Sequence, residues 1–144
     1  MKETTYTEVH KKFINRIMLD GKKRKAEGIF DNCWFSIESK CESSAAVILE
    51  KALLNVSPTL EVRSVRIAGS TYQIPFPIPF NRQLSLGISW IVKSARNRSE
   101  RHMSIRLAEE LMDASKGVGT SVRKRTELHK IAEANRAFAH YRWM

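Results

Sequence analysis

Apolar residues recur every three or four positions through most of the chain, which is the periodicity of an amphipathic α-helix. Three such stripes occupy residues 9–18, 26–37 and 45–56 of the first half. Glycine in Asp20-Gly21 suits the end of the first helix, and the pair Ser43-Ser44 suits the start of the third. The pattern therefore predicts three helices before residue 58, where a proline prevents continuation.

The pattern changes between residues 60 and 78, where β-branched residues flank Ala68-Gly69-Ser70. Two such runs around a glycine turn predict a β-hairpin. Three prolines at alternate positions each remove a donor from the ladder: Pro75, Pro77 and Pro79. We therefore expect a ribbon of edge strands that projects from the helices instead of joining a larger sheet.

Helical periodicity returns at residues 84–95, 107–112 and 122–132, and the last helix is predicted to start near Thr120. With 144 residues and 42% apolar content, the chain is long enough for one hydrophobic core. The sequence thus predicts a single, mainly α domain over residues 1–144. Its architecture is a bundle-like arrangement of six helices, with one projecting β-hairpin between the third and fourth.

Charge is the unusual property of this composition. Lys and Arg number 25 against 15 Asp and Glu, which gives a net charge of +10 and a pI near 10.0. Residues 1–25 hold eight basic and three acidic residues, and residues 116–144 hold seven and two, so each end carries +5. A basic protein with the excess at both ends is expected to bind a polyanion such as nucleic acid.

The run Lys22-Lys23-Arg24-Lys25 begins the second helix, where cations oppose the helix dipole. A phosphate bound at the exposed N–H groups would relieve that conflict, although a solvated charged turn also explains one isolated run. Two further basic clusters, at residues 96–106 and 123–130, favour the phosphate-binding interpretation.

Other residues of the hairpin and the C-terminus carry weaker signals for RNA. Arg63 and Arg66 lie three residues apart, so a regular strand places them on opposite faces. Tyr72, Tyr141 and Trp143 are candidates for stacking on unpaired bases, although aromatic side chains more often belong to a core.

Catalysis, metal binding and membrane insertion have no positive signal in the sequence. Cys33 and Cys41 lack the spacing of a zinc site. None of the histidines His102, His129 and His140 has a nucleophile and an orienting acid at a spacing that would indicate a catalytic site. No apolar run reaches the roughly 18 residues of a membrane span, and the N-terminus lacks the apolar core of a secretory signal. We therefore expect no catalytic residue, cofactor, metal, membrane or small-molecule substrate.

Four segments, in one order along the chain, resemble the bacterial and organellar ribosomal protein S-seven family of the small subunit. They are NRIMLDGKKR at residues 15–24, L-x-x-V-x-P-x-L-E-V at 53–62, AGSTYQIP at 68–75 and AEANRAFAHYRW at 132–143. The last is highly specific, and the resemblance extends from about residue 9 to residue 143.

The resemblance implies a non-catalytic structural protein in the head of the small subunit. Members bind the 3′ major domain of the small-subunit rRNA, nucleate head assembly and neighbour other head and platform proteins. Their ribbon and C-terminal helix approach exit-site tRNA and mRNA. With Lys25 of the basic run, the candidate RNA-binding residues are Lys22, Lys23, Arg24, Lys25, Arg63, Arg66, Arg96, Arg98, Lys124, Arg125, Arg136, His140 and Arg142.

Departures from the bacterial pattern bear on the compartment. Only about nine residues precede the first helix, Val65 replaces a common arginine beside Arg66, and Ser89 replaces one before Trp90. These departures favour the mitochondrial matrix, with plastid stroma and bacterial cytoplasm as alternatives. The functional alternative is a helical RNA-binding translational regulator outside the ribosome, and an enzyme acting on RNA ranks third.

Overall fold

A computed structural model of the chain describes the backbone of residues 3–143 and the side chains of residues 7–142. In order along the chain, the elements are α1 (Glu3–Ile17), α2 (Lys23–Lys40), α3 (Ala45–Val56), β1 (Leu60–Ile67), β2 (Ser70–Pro77), α4 (Phe80–Arg96), α5 (Met103–Ser115), α6 (Thr120–Ala134) and a 3-10 helix, η1 (Arg136–Trp143).

The mainly helical architecture with a hairpin between the third and fourth helices is confirmed. The six predicted α-helices are present, and α6 begins at Thr120 as expected. Two differences concern the ends. Helix α1 begins at Glu3, about two turns before its buried stripe starts at Val9, and η1 adds a seventh helix after α6. None of the described helices is long and apolar enough to cross a membrane.

Helix α5 lies at the centre of the bundle, where it packs against α2, α3 and α4. Its apolar face is fully buried at Leu107 and Ala108. Burying one Leu, Ile or Phe side chain contributes about 1.5–3 kcal/mol before entropy is counted, so this core holds the helices together. The largest apolar side chains enclosed in it include Phe13, Ile37, Leu49, Ile88, Ile91 and Leu111.

Local signals explain where helices start and stop. Ser44 is the N-cap of α3, and its hydroxyl accepts a hydrogen bond from the Val47 N–H at 3.4 Å. Asp20 and Gly21 follow α1 with positive φ angles of 54° and 72°, which reverses the chain into α2. Glycine tolerates this backbone conformation without steric cost, so the predicted break at Asp20-Gly21 has a clear cause.

The two-stranded ribbon pairs in a regular antiparallel register from Leu60↔Pro77 to Ile67↔Ser70. Ala68 and Gly69 form the turn with φ angles of 50° and 82°, and two positive values are typical of a tight hairpin turn. Because both strands are edges, prolines in β2 are tolerated. Helix α6 contacts β1, and η1 contacts β2 at Tyr72, whereas residues 68–71 at the tip are exposed.

Both cysteines are free. The Cys33 thiol is enclosed in the core, and burial raises its pKa to about 12. Cys41 is half-buried, with its sulfur 3.4 Å from the Met112 sulfur. Both therefore act as packing residues in this fold.

Candidate nucleic-acid interface

The predicted basic run lies at the exposed N-terminus of α2. Lys22 is the N-cap residue, its side chain makes no capping bond, and the first turn contains no acidic residue. All four side chains of residues 22–25 are exposed. The Lys23 N–H already donates to the Gly21 carbonyl at 2.9 Å. A helix start with cationic side chains and no side-chain cap therefore offers its remaining backbone donors and its charge to an anion.

Arg96, predicted from the loop after the fourth helix, is the last residue of α4 and reaches α1. Its guanidinium donates to the carbonyl oxygens of Arg16 at 3.2 Å and of Ile17 at 3.3 Å. These are terminal carbonyls of α1, where a cation is favourable. The contact brings the end of α4 next to the end of α1, and hence close to the turn that precedes the basic run.

Two basic residues of this region were not predicted from the sequence. Lys12 and Arg16, four residues apart on α1, line an open cavity of about 220 Å³ together with Ser85 of α4. Their spacing of four residues near the end of α1 places them on one face of the helix, and this pattern could have predicted a shared basic surface. We define the α1–α4 basic surface as Lys12, Arg16, Lys22, Lys23, Arg24, Lys25 and Arg96; within the described residues, none of these forms an ion pair.

Arg98 has an internal role. Its guanidinium donates to Glu100 at 3.2 Å, Glu110 at 3.1 Å and Asp113 at 3.0 Å. Glu110 is only 1% exposed and also accepts from the hydroxyl and N–H of Ser121, at 2.6 and 3.3 Å. The RNA contact predicted for Arg98 stays a prediction, and the geometry directs this side chain to join α5 with the start of α6.

Two pKa shifts reflect this network. Burial of Arg98 by itself disfavours the charged form, but hydrogen bonds to Asp113, Glu110 and Glu100 outweigh burial and raise the pKa of Arg98 above its ordinary value. The pKa of Glu100 is lowered, first by its own backbone N–H and then by Arg98. Both ions therefore remain charged across the physiological range.

A second basic region combines the ribbon with η1. Arg63 is exposed, with its guanidinium 4.9 Å from the centre of the Phe76 ring and 3.6 Å from Glu61. Arg66 is exposed near the tip, opposite Thr71. Three positions apart in one regular strand, the two arginines lie on opposite faces, as predicted.

The C-terminal 3-10 helix is attached to the ribbon through aromatic rings. Tyr72 of β2 lies 5.0 Å from Phe138 and 5.3 Å from Tyr141, measured between ring centres. The candidate stacking residues Tyr72 and Tyr141 thus contact each other, whereas the side chain of Trp143 lies outside the described ones. In this region Arg136 is exposed and pairs with Glu133 at 3.3 Å.

His140 and Arg142 belong to the same helix. The exposed His140 places Nδ1 at 3.0 Å from the Ala137 carbonyl, and Arg142 donates to the Ala139 carbonyl at 3.0 Å. We define the ribbon–tail surface as the predicted basic residues of the ribbon and of η1: Arg63, Arg66, Arg136, His140 and Arg142. Arg63 shares the ribbon face of Tyr72, on which η1 packs, and Arg66 lies on the opposite face.

Helix α6 connects the ribbon to the bundle. Lys124 and Arg125 are half-buried, so they are less accessible than the basic run. The Thr59 N–H, just before β1, donates to Nε2 of His129 at 3.3 Å. Burial, and secondarily the charge of Arg125, lowers the pKa of His129. His129 therefore acts in its neutral form as a structural acceptor.

Comparison with known proteins identifies the family. A sequence model of the family described as "Ribosomal protein S7p/S5e" matches residues 1–136. The "Small ribosomal subunit protein uS7" of Afipia carboxidovorans is 52% identical over 132 residues, which cover 92% of this chain and 85% of that protein. Its namesake in Shewanella sediminis is 50% identical over 137 residues, covering 95% and 88%. The corresponding protein of Dictyoglomus thermophilum is 50% identical over 132 residues, covering 92% and 85%.

These relatives confirm the resemblance drawn from the four motifs. They are bacterial proteins, so they give no support to the mitochondrial location that the departures favoured. They are also ribosomal structural proteins, which agrees with the expectation that this chain is no enzyme. The chain belongs to the ribosomal protein S-seven family of the small ribosomal subunit.

Proposed function

We propose that this protein is a structural constituent of the small ribosomal subunit that binds the 3′ major domain of the rRNA and nucleates assembly of the head. The α1–α4 basic surface is the observation that carries the proposal. Its seven basic side chains come from α1, the α1–α2 turn, α2 and α4, and within the described residues none of them forms an ion pair. Lys12 and Arg16 line one cavity, and Arg96 contacts the end of α1, directly before the turn that leads to the basic run. Such a surface neutralises phosphates and releases counterions, which drives RNA binding.

The ribbon–tail surface supplies the second contact. Its aromatic attachment fixes η1 on the ribbon face of Arg63, so cations distant in the sequence are held in one unit that contacts RNA, while Arg66 contacts RNA from the opposite face of the ribbon. On this proposal the surface approaches exit-site tRNA and mRNA, with Lys124 and Arg125 behind it on α6. Recognition then depends on phosphate contacts and on the shape of folded RNA.

The proposed partners are the rRNA and neighbouring head and platform proteins. We propose that the protein works as a single domain on a ribosome of the bacterial type. Mitochondria, plastids and bacteria all have ribosomes of this type. The bacterial relatives do not favour the mitochondrion over the other two.

The proposal is tested by replacing Lys22, Lys23 and Arg24 together with alanine. Binding to a transcript of the 3′ major domain should weaken, and the slope of log affinity against log salt should fall by about 2–3. The melting temperature should hardly change, because exposed charges contribute little to stability. Filter binding at several salt concentrations and calorimetry measure the two effects.

A matched control replaces three exposed cations outside both surfaces and outside the predicted basic clusters, Lys51, Arg82 and Lys116, with alanine. If the two triple variants weaken RNA binding equally, the proposal of a localised surface is refuted, and the net positive charge of the chain is sufficient to explain binding. Co-sedimentation addresses the alternative regulator, because a ribosomal constituent stays with small subunits in high-salt gradients and a free regulator does not.

A further inference from the structure

The outward face of α2 differs from the basic surfaces. Asp31, Phe35 and Glu38 follow one another at spacings of four and three residues, so they lie on one side of the helix. All three are exposed, and Phe35 is 73% exposed. A single exposed apolar side chain is common on protein surfaces, so the surroundings of Phe35 decide what this face can bind.

A cluster of aromatic rings from α1 and α2 lies next to these residues. His10 of α1 lies 4.9 Å from Trp34 and 5.0 Å from Phe30, measured between ring centres. Together with the outward face, the three rings line an open cavity of about 370 Å³. We call this site the α2 groove, lined by His10, Phe30, Asp31, Trp34, Phe35 and Glu38.

The two charged side chains that line the α2 groove, apart from the ring of His10, are acidic, whereas the chain as a whole is basic. Within the described residues, no Lys or Arg lies within ion-pair distance of Asp31 or Glu38. Glu27, Glu42 and Glu127 also form no ion pair within the described residues, but only Asp31 and Glu38 line the aromatic cavity. Asp31 attracts the neighbouring His10, but neither carboxylate has a Lys or Arg partner among the described residues. In a chain of net charge +10, two such carboxylates beside an aromatic cavity repel phosphate and attract cations.

We propose that the α2 groove docks a Lys- or Arg-rich segment of another polypeptide. Asp31 and Glu38 pair with its cationic groups, and the rings of Phe35 and Trp34 hold a guanidinium or ammonium by cation–π contact. Lys25 lies ten residues before Phe35, about 15 Å along the helix, so protein and RNA are held at separate places on α2.

The full chain is titrated with fluorescein-labelled octa-arginine, and binding is followed by anisotropy and by amide chemical shifts. Shifts should concentrate in residues 30–39. The double variant D31N/E38Q and the single variant F35A should each weaken binding about fivefold. Two matched controls, E42Q/E127Q and L54A, alter exposed residues outside the groove and should bind as the original chain does.

Other results would overturn the inference. The first is that the peptide shifts amide signals outside α2. The second is that the groove variants and the control variants weaken peptide binding equally. The third is that signals of α2 shift with protein concentration in the absence of peptide, which would mean that a second copy of the chain fills the groove. The D31N/E38Q variant should bind the 3′ major domain transcript at least as tightly as the original chain. Its RNA binding therefore separates a failure of this inference from a failure of the proposed rRNA function.

Discussion

At the scale of single residues, Arg98 joins three carboxylates, one of them the almost fully buried Glu110. Replacing Arg98 with alanine should lower the free energy of unfolding by about 2–3 kcal/mol, because a buried carboxylate loses its cation. Urea denaturation measures this change. The exposed Arg101→Ala variant is the control and should stay within about 0.5 kcal/mol of the original.

RNA binding decides between the two roles of Arg98. An R98A chain that unfolds like the original but binds RNA poorly would show that the guanidinium faces RNA. Loss of stability with RNA binding retained below the melting temperature is the result that the geometry predicts.

His129 makes stability depend on pH. Burial lowers its folded pKa, with Arg125 adding to the effect, so below about pH 6.5 the unfolded chain binds a proton that the folded chain resists. Stability should therefore fall as pH decreases from 7.5 to 5. H129Q should reduce this slope in melting temperature, and an unchanged slope would contradict the assignment. Part of the pH dependence that remains in H129Q comes from His10, because burial lowers the pKa of His10 despite the attraction of Asp31.

At the scale of elements, two interior glycines allow a matched comparison. A methyl group on Gly87 of α4 would lie 2.7 Å from the Ser57 hydroxyl and 3.4 Å from the Ser57 Cα, whereas one on Gly28 of α2 meets nothing within 4 Å. Helix propensity predicts that G28A stabilises the fold by about 0.5–1 kcal/mol.

In G87A the same gain is opposed by the clash with the Ser57 hydroxyl, which must turn away from its place, and by the close approach of the Ser57 backbone. G87A should therefore be at least about 1 kcal/mol less stable than G28A in urea denaturation. Equal stabilisation by the two substitutions would show that α4 does not approach Ser57 this closely.

The attachment of η1 to the ribbon depends on Tyr72. Aromatic contacts contribute about 0.5–1.5 kcal/mol each, so Y72A should increase hydrogen exchange of residues 136–142 on the order of tenfold while α5 stays protected. Y72F keeps the ring and serves as the control. Unchanged exchange in Y72A would mean that Phe138 and Tyr141 do not hold η1 on β2.

Elements with a regular apolar stripe were predictable, because burial of one helix face imposes its period on the sequence, as at residues 45–56. The ribbon was predictable from the change of residue type around Gly69. Helix η1 was not, because its aromatic residues pack on Tyr72, more than 60 residues away. For the same reason, no sequence pattern shows that Arg96 contacts the end of α1 or that Arg98 turns inward to Glu110.

At the scale of the whole molecule, function follows from how charge is distributed over a rigid bundle. The core around α5 fixes the α1–α4 basic surface, and α6 with η1 fixes the ribbon–tail surface. Most of their cations come from the ends of the chain, whereas residues 26–92 carry a net charge of −1, including the α2 groove. The fold thus separates the two surfaces proposed to bind RNA from the surface proposed to bind a basic polypeptide.

The salt dependence of binding to the 3′ major domain transcript tests the central claim most directly. If about 6–10 phosphates are neutralised, affinity should fall about 10³–10⁵-fold between 50 and 200 mM salt. The transcript should also be preferred over an unrelated RNA of equal length, because the surfaces are held in a fixed geometry. A salt-independent affinity, or equal binding of both RNAs, would contradict the account.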